Sequence, residues 1–498
     1  MCRISLIFVR SIWLALFFSI FAHAQFLTPP GTIERMGLGP NGEPPDAFTA
    51  QPHLSFDGRY VMFSSKARNL LPGIPASITN ENLYRQWYLF DRQTKQLERV
   101  SINSAGEIQQ GPVFGTATGT DSIDISDDGR YVIFNSLATN LAQGGTPLIL
   151  QVYLHDRVTK ITSRLSDNSL GGGNPVRFID GQTERVIFGC GSNAYCIKNL
   201  TNGSLNIKEL PNPYRRESAV SKNGLYAVCS ASGKALGINS GFDFIARCDL
   251  NTGGARLIEK RGEGLVNRVA RSKFSSDGSI LAFESIGPLD GSDPIIRPLY
   301  NIYLWRASTN TVELISKAPN GNSAFTTIFS GIALSDDGAR ISWVSQDSNL
   351  GPLSFFNFQS QYAIYVRDLN VVPSFNYYGA LLANNNPGFA NCEFVPIGTG
   401  SIFAPSTRNA NCPELSGDGK VLAFSSHDWR WVPNDVTPQQ GCGTNAPCSA
   451  LLDVFVKNLG PTEPTVVVPV PLLTASSRIL IASLMLVFGL WIVRRHHA

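Results

Sequence analysis

Charge and reactive side chains are scarce in this chain of 498 residues. Only 16% are Asp, Glu, Lys or Arg, and six are His. No Gly-x-Ser-x-Gly elbow, His-Glu-x-x-His pair or Gly-rich phosphate loop occurs, which argues against serine esterases, zinc peptidases and nucleotide-phosphate chemistry. No basic stripe is visible, so nucleic acid is not expected as a partner. Four Met stand against 45 Gly, 30 Pro and 29 Phe. That balance fits an all-β protein rich in turns.

Long apolar runs occur only at the two ends. Arg3 and Arg10 flank a basic start, Ile12 to Phe21 is apolar, and Ala22-His23-Ala24 is a small-x-small step before Gln25. This predicts a cleaved signal peptide over 1–24. At the other end Ile479 to Val493 is apolar and Arg494-Arg495-His496-His497 follows. The segment 479–498 reads as a hydrophobic helix that serves as anchor or sorting tail, with its basic end cytoplasmic. A Pro- and Val-rich spacer, 461–478, joins it to the body at 25–460. Both ends therefore predict an exported, membrane-held protein on the periplasmic or cell-surface side of a Gram-negative envelope. The body carries a net charge of about −1.

Within the body one phrase recurs. It stands as Leu54-Ser-Phe-Asp-Gly-Arg-Tyr-Val-Met-Phe63 and as Ile125-Ser-Asp-Asp-Gly-Arg-Tyr-Val-Ile-Phe134, with weaker copies starting at Phe274, Leu334 and Leu415. A repeat of this length sets the architecture before any local assignment. In the second unit, Ser122 to Ser126 is a first strand and Asp127-Asp128-Gly129 a tight turn. Arg130 to Asn135, Leu150 to Asp156 and Ile161 to Ser166 follow as strands. Four antiparallel strands per unit describe a propeller blade. Seven second strands begin near Arg59, Arg130, Glu184, Leu225, Ser279, Ala339 and Lys420. The last unit stops after its third strand, at Leu459. Thr32-Ile-Glu-Arg-Met36 is similar to Gln96-Leu-Glu-Arg-Val100, which ends the first unit. The expectation is a seven-bladed all-β ring in which the N-terminal strand completes the last blade, since an open array leaves exposed edges.

The phrase Ser126 to Ser136, then Asn140-Leu141, Val152 to Thr159 and Arg164-Leu165-Ser166, resembles the WD40-like, TolB-type β-propeller repeat. Units three and four match it poorly and carry cysteines instead. The resemblance implies a fold used mostly as an interaction scaffold. Val468-Pro-Val-Pro-Leu-Leu473 with the apolar run and Arg pair resembles the IPTL-type sorting tails, relatives of the PEP type. The aromatic residue common in such tails is absent and Arg478 interrupts the approach, so a plain anchor stands beside a processed signal.

Nine Cys become eight once Cys2 leaves with the leader, and an even number in an exported chain predicts disulfides. They fall in four local couples: Cys190 with Cys196, Cys229 with Cys248, Cys392 with Cys412, and Cys442 with Cys448. Aligned on the second unit, Cys229 falls at Phe134 and Cys248 at His155, while Cys190 falls at Ser136 and Cys196 at Tyr153. Both couples then imply one register between strands two and three.

No catalytic residue, cofactor or metal ligand is predicted. His53, His155 and His427 are the only His of the body, and His155 sits where other units carry Phe90, Trp305 or Arg367, as a strand residue. Turn chemistry accounts for Asp127-Asp128-Gly129 and Asp336-Asp337-Gly338 without calcium, and Gly171-Gly172-Gly173 reads as a connection between blades. Links between strands one and two, and three and four, are short and share one face. The links on the other face are long, and such loops tend to carry function. His427, Trp429, Arg430 and Trp431, with Phe355, Phe356 and Phe358, form the candidate interaction face. The expected function is a non-catalytic scaffold for a protein or glycan. A polysaccharide lyase or hydrolase working in the central funnel is the rival, and a purely structural surface protein the third reading.

Overall fold

The computed structural model describes residues 33–74, 85–110, 123–145, 149–167, 171–181, 184–191, 194–210, 219–232, 243–258, 271–286, 300–316, 331–345, 363–370, 377–378, 410–426 and 453–460. The expected leader over 1–24 and the expected spacer and tail over 461–478 and 479–498 lie outside them. No helix among the described residues is long and apolar enough to cross a membrane.

Seven antiparallel sheets follow one another along the chain. Blade 1 is Thr49–Leu54, Tyr60–Ser65, Gln86–Asp91 and Gln96–Arg99; blade 2 is Ile123–Ile125, Tyr131–Ser136, Gln151–Asp156 and Ile161–Arg164. Blade 3 is Gly173–Phe178, Arg185–Cys190, Ala194–Asn199 and Leu205–Glu209. Blade 4 has Tyr226–Ser232, Asp243–Asp249 and Ala255–Leu257. Blade 5 is Ser272–Phe274, Ile280–Ile286, Tyr300–Arg306 and Thr311–Leu314; blade 6 is Ile332–Leu334, Arg340–Ser345, Ala363–Asp368 and Tyr377–Tyr378. Blade 7 combines Ala410–Leu415, Val421–Ser426 and Asp453–Asn458 with Ile33–Arg35. The expected seven-bladed ring is observed. Blade 4 departs from the four-strand pattern: its inner strand is reduced, among the described residues, to a single bridge between Val220 and Ala227.

The recurring phrase folds locally for a chemical reason. In blade 2 the Ser126 hydroxyl donates to Asp128 Oδ1, which also accepts from the Arg130 amide. The Tyr131 amide donates back to Ser126 Oγ at 2.9 Å. Gly129 supplies a φ of +70°, open to glycine at little cost. The same Ser-to-carboxylate bond recurs at Ser55–Asp57, Ser275–Asp277, Ser335–Asp337 and Ser416–Asp418, and Ser221–Asn223 copies it with an amide. These carboxylates serve the turn, as the sequence expectation had it.

Closure rests on the pairing of Ile33, Glu34 and Arg35 with Lys457, Val456 and Phe455. Met36 N adds a bond to Val454 O at 2.8 Å. The likeness between the closing strand and the end of blade 1 has a functional counterpart. Glu34 holds Arg92 and Lys95 of blade 1, each at 3.3 Å. One blade later, Glu98 holds Arg157 and Lys160 of blade 2. An outer-strand glutamate thus clips two basic residues of the next blade, and the N-terminal strand performs this for blade 7.

The core is divided among the blade-to-blade interfaces, as the seven hydrophobic clusters show. Five blades set one aromatic pair across strands two and three: Phe63–Tyr88, Phe134–Tyr153, Phe283–Tyr303, Trp343–Tyr365 and Phe424–Phe455, with centroids 5.7–5.9 Å apart. Blades 3 and 4 lack the pair. There Phe188 faces Cys196, and Cys229 faces Ala246. Each of these blades instead carries a disulfide, Cys190–Cys196 or Cys229–Cys248, with Cα atoms 5.7 and 5.9 Å apart. Both run along the same diagonal, one step of two off the direct pair, so the common register expected from sequence is observed. One cysteine of each bridge, Cys196 or Cys229, stands at a position of the aromatic pair. Cys412 lies on the first strand of blade 7; Cys392, Cys442 and Cys448 lie outside the described residues.

Candidate functional site at the channel throat

The inner strands deliver two sets of side chains to the channel. The first set comes from two positions before the turn Ser or its equivalent: His53, Asp124, Arg177, Lys273 and Glu414 from blades 1, 2, 3, 5 and 7, with Ala219 and Ala333 at the same register in blades 4 and 6. The second comes from the position after the Ser: Phe56, Asp127, Lys222, Ser276, Asp336 and Gly417. His53, Asp124, Arg177, Lys273 and Glu414 of the first set and Phe56, Lys222, Asp336 and Gly417 of the second border a cavity of about 50 Å³. The repeat makes this inevitable, because one register position per blade converges on one axis.

Opposite charges meet across the channel. Lys222 Nζ of blade 4 lies 2.8 Å from Asp336 of blade 6 and 3.6 Å from Asp127 of blade 2. The same ammonium stands 5.2 Å from the centroid of Phe56 in blade 1. Lys273 Nζ reaches Glu414 at 3.9 Å. Burial works against the Lys222 charge, but Asp336, Asp124 and Asp127 outweigh it and hold the ammonium above lysine's ordinary value. Asp124 answers in the other direction. Burial pushes it up to about 6, although Lys222 and Arg177 draw it down and the amides of Phe178 and Ile125 donate to it.

A backbone ring supports this end of the channel. Hydrogen bonds join neighbouring turns through Asp127 N to Gly181 O, Asp180 N to Lys222 O, Asn223 N to Ser276 O, Ser276 N to Asp336 O, Asp337 N to Gly417 O and Asp418 N to Phe56 O. These six links join blades 2 through 7 in order and then blade 7 to blade 1. Between blades 1 and 2 the Tyr60 ring lies against Gly129, where a Cβ would come within 2.3 Å of it, and Arg157 covers the ring. Gly417 has a similar reason for being glycine, since a Cβ there would fall 2.2 Å from Phe56 and 2.7 Å from Asp336.

Of the residues expected to matter, His155 is where the strand reading put it, fully buried, with Nδ1 2.9 Å from Thr162 Oγ1. His53 lines the throat. The candidate face, His427, Trp429, Arg430, Trp431, Phe355, Phe356 and Phe358, lies outside the described residues. Sequence reasoning missed Lys222 and the throat set. The signal was present: beside the near-constant Ser and Asp-Gly of the turn, one position changes from Phe to Asp, Lys, Ser or Gly between units, which turn chemistry does not ask for.

No protein-family model and no curated protein matches the chain. Solved β-propellers are similar to it in structure. The β-propeller domain of Cps50 (Swd1) from Myceliophteria thermophila aligns over 86% of this chain and 100% of its own, at 10% identity and a TM-score of 0.39. An oligogalacturonate lyase from Vibrio parahaemolyticus aligns over 86% and 97%, at 12% and 0.45. TolB from Acinetobacter baumannii aligns over 81% of each chain, at 14% and 0.33. Likeness this distant concerns the fold alone, and the seven blades are read from the strand pairing itself.

Proposed function

We propose that the chain is an exported, envelope-associated propeller that binds a protein or glycan without transforming it, through the long-loop face and held by its C-terminal hydrophobic tail. One observation carries the non-catalytic reading. Both throat lysines are paired with carboxylates across the channel, Lys222 with Asp336 and Lys273 with Glu414, and the cavity beside them among the described residues, about 50 Å³, is far below the roughly 300–1,000 Å³ of small-molecule sites. Two cross-strand disulfides support folding in an oxidising compartment. The test is capture of envelope proteins and glycans by the full chain and by its Trp429→Ala/Trp431→Ala variant. Loss of a specific partner in the variant supports the assigned face, and equal capture by both removes it.

The enzyme reading keeps one supporting observation, the Asp124 carboxyl held at about 6 beside Arg177 and Lys222, since perturbed acids gather at catalytic sites. Release of unsaturated or reducing sugar ends from polyuronates by the full chain, abolished by Asp124→Asn, would install that reading in place of the scaffold.

A further inference from the structure

The contacts of Lys222 are unusual for a structural ion pair. Its ammonium is received by groups from three other blades: a carboxylate at 2.8 Å, a second at 3.6 Å and the face of an aromatic ring at 5.2 Å. Carboxylates around an aromatic face are the chemistry that recognises an ammonium ion from outside a protein, the ring attracting the cation through its quadrupole. Here the guest is part of the chain. The cage also stands at a surface. Phe56 is 45% exposed, and Asp127 has a side-chain exposure of 48% while that of Lys222 is 13%. Its rim carries the exposed carboxylates Asp57, Asp128, Asp277 and Asp337 at the turns of blades 1, 2, 5 and 6, and Leu225 adds an apolar spot.

We infer that the turn-side mouth of the channel is a cage for an alkylammonium group, filled in cis by Lys222 and available in trans to a lysine side chain of a basic partner docking on this rim. The host groups are Asp336, Asp127 and Phe56. Gly417 belongs to the same construction, because its missing side chain leaves the space that Phe56 and Asp336 occupy. Lys222 acts as a built-in plug: a partner lysine must displace it, and the tethered group competes at high effective concentration. This inference concerns the face opposite the long loops and stands or falls apart from the scaffold reading.

The probe is n-propylammonium chloride against matched sodium chloride, with the thermal midpoint of the full chain as readout. Lys222→Ala empties the cage. Its midpoint is expected to climb with propylammonium in a saturable way, as ligand linkage requires, with a smaller climb for the wild type and none for Lys222→Ala/Asp336→Asn. A climb no larger than in sodium chloride, or equal climbs in all three proteins, overturns the cage. Should Lys222→Ala fail to fold, amine acylation of the wild-type chain decides. Lys222 is expected to be labelled at least tenfold more slowly than Lys95 and Lys160, and its rate relative to these two in the same sample, which corrects for reagent consumed by the free amine, is expected to rise as propylammonium is added. Labelling at the rate of Lys95, or protection that propylammonium leaves untouched, overturns it.

Discussion

Removing the Cys229–Cys248 bridge should loosen blade 4 selectively. The bridge closes a span of 19 residues, for which chain entropy gives about 3 kcal/mol. Blade 4 is where such a loss weighs most. Its described sheet has three strands, its inner strand is one bridge, and the position of the aromatic pair holds Cys229 and Ala246. Cys190–Cys196 spans 6 residues and is worth about 2 kcal/mol by the same reasoning, inside a blade of four strands. Native-state hydrogen exchange separates the two. In Cys229→Ala/Cys248→Ala, amides of Tyr226–Ser232 and Asp243–Asp249 should lose about two orders of magnitude of protection, more than the matching strands lose in Cys190→Ala/Cys196→Ala. Rebuilding the stack with Cys229→Phe and Ala246→Tyr in the Cys248→Ala background should restore part of it, since aromatic pairs contribute about 0.5–1.5 kcal/mol beyond buried area. A loss spread evenly over all blades, or a larger loss from the shorter span, would refute the view that the bridge replaces the stack.

Three further outcomes follow from buried groups. Burial holds His155 down at about 4, so the folded chain resists its protonation and stability is lost as pH falls from about 6.5 to 4, by about 3 kcal/mol. His155→Phe, the residue type that blade 1 carries at that position, should flatten the acid limb of the stability-against-pH curve. Glu284 is fully buried with both carboxyl oxygens free of hydrogen bonds among the described residues, and burial pushes it up to about 7. The sign is opposite: the fold keeps a proton that the unfolded chain releases, so stability is lost as pH rises from about 4.5 to 7. Glu284→Gln should remove about 3 kcal/mol of pH dependence over that interval in denaturant titrations. Glu34→Gln, which leaves the closing strand paired but breaks its clip on Arg92 and Lys95, should cost about 1 kcal/mol and raise exchange in Ile33–Arg35 and Asp453–Asn458 before other strands.

Local chemistry was legible and cross-channel geometry was not. The turns could be read because Ser, Asp and Gly interact within five residues, and the hydrogen bonds of Ser126 and Asp128 are decided by spacing alone. Ring closure was legible through a second local likeness, the Glu-Arg step shared by Glu34 and Glu98, although the partners it holds are far away in sequence. The cysteine register could be derived because strand pairing has period two. Blade 4's reduced inner strand gave no signal, since the bridging Val220 and Ala227 look like any apolar strand pair. Lys222 was hidden for a different reason. Its worth comes from Asp336, Asp127 and Phe56, which lie in three other units and meet it only once the ring is closed.

The inner and outer rims of the turn face therefore differ in what substitution can do to them. At the inner rim, six backbone hydrogen bonds join neighbouring blades, and these need only the right turn conformation at each junction. Side chains at the position after the Ser are thereby released from holding the ring together. That freedom explains why Phe56, Asp127, Lys222, Ser276, Asp336 and Gly417 can all occupy one structural position, and why a specific arrangement such as the Lys222 cage could be built there without disturbing the fold. At the outer rim the side chains themselves do the linking: Glu34 and Glu98 repeat because each holds two basic residues of the next blade. Variation at a position whose structural task is already performed by the backbone is where chemistry directed at a partner is best sought, and in this ring that position surrounds the throat.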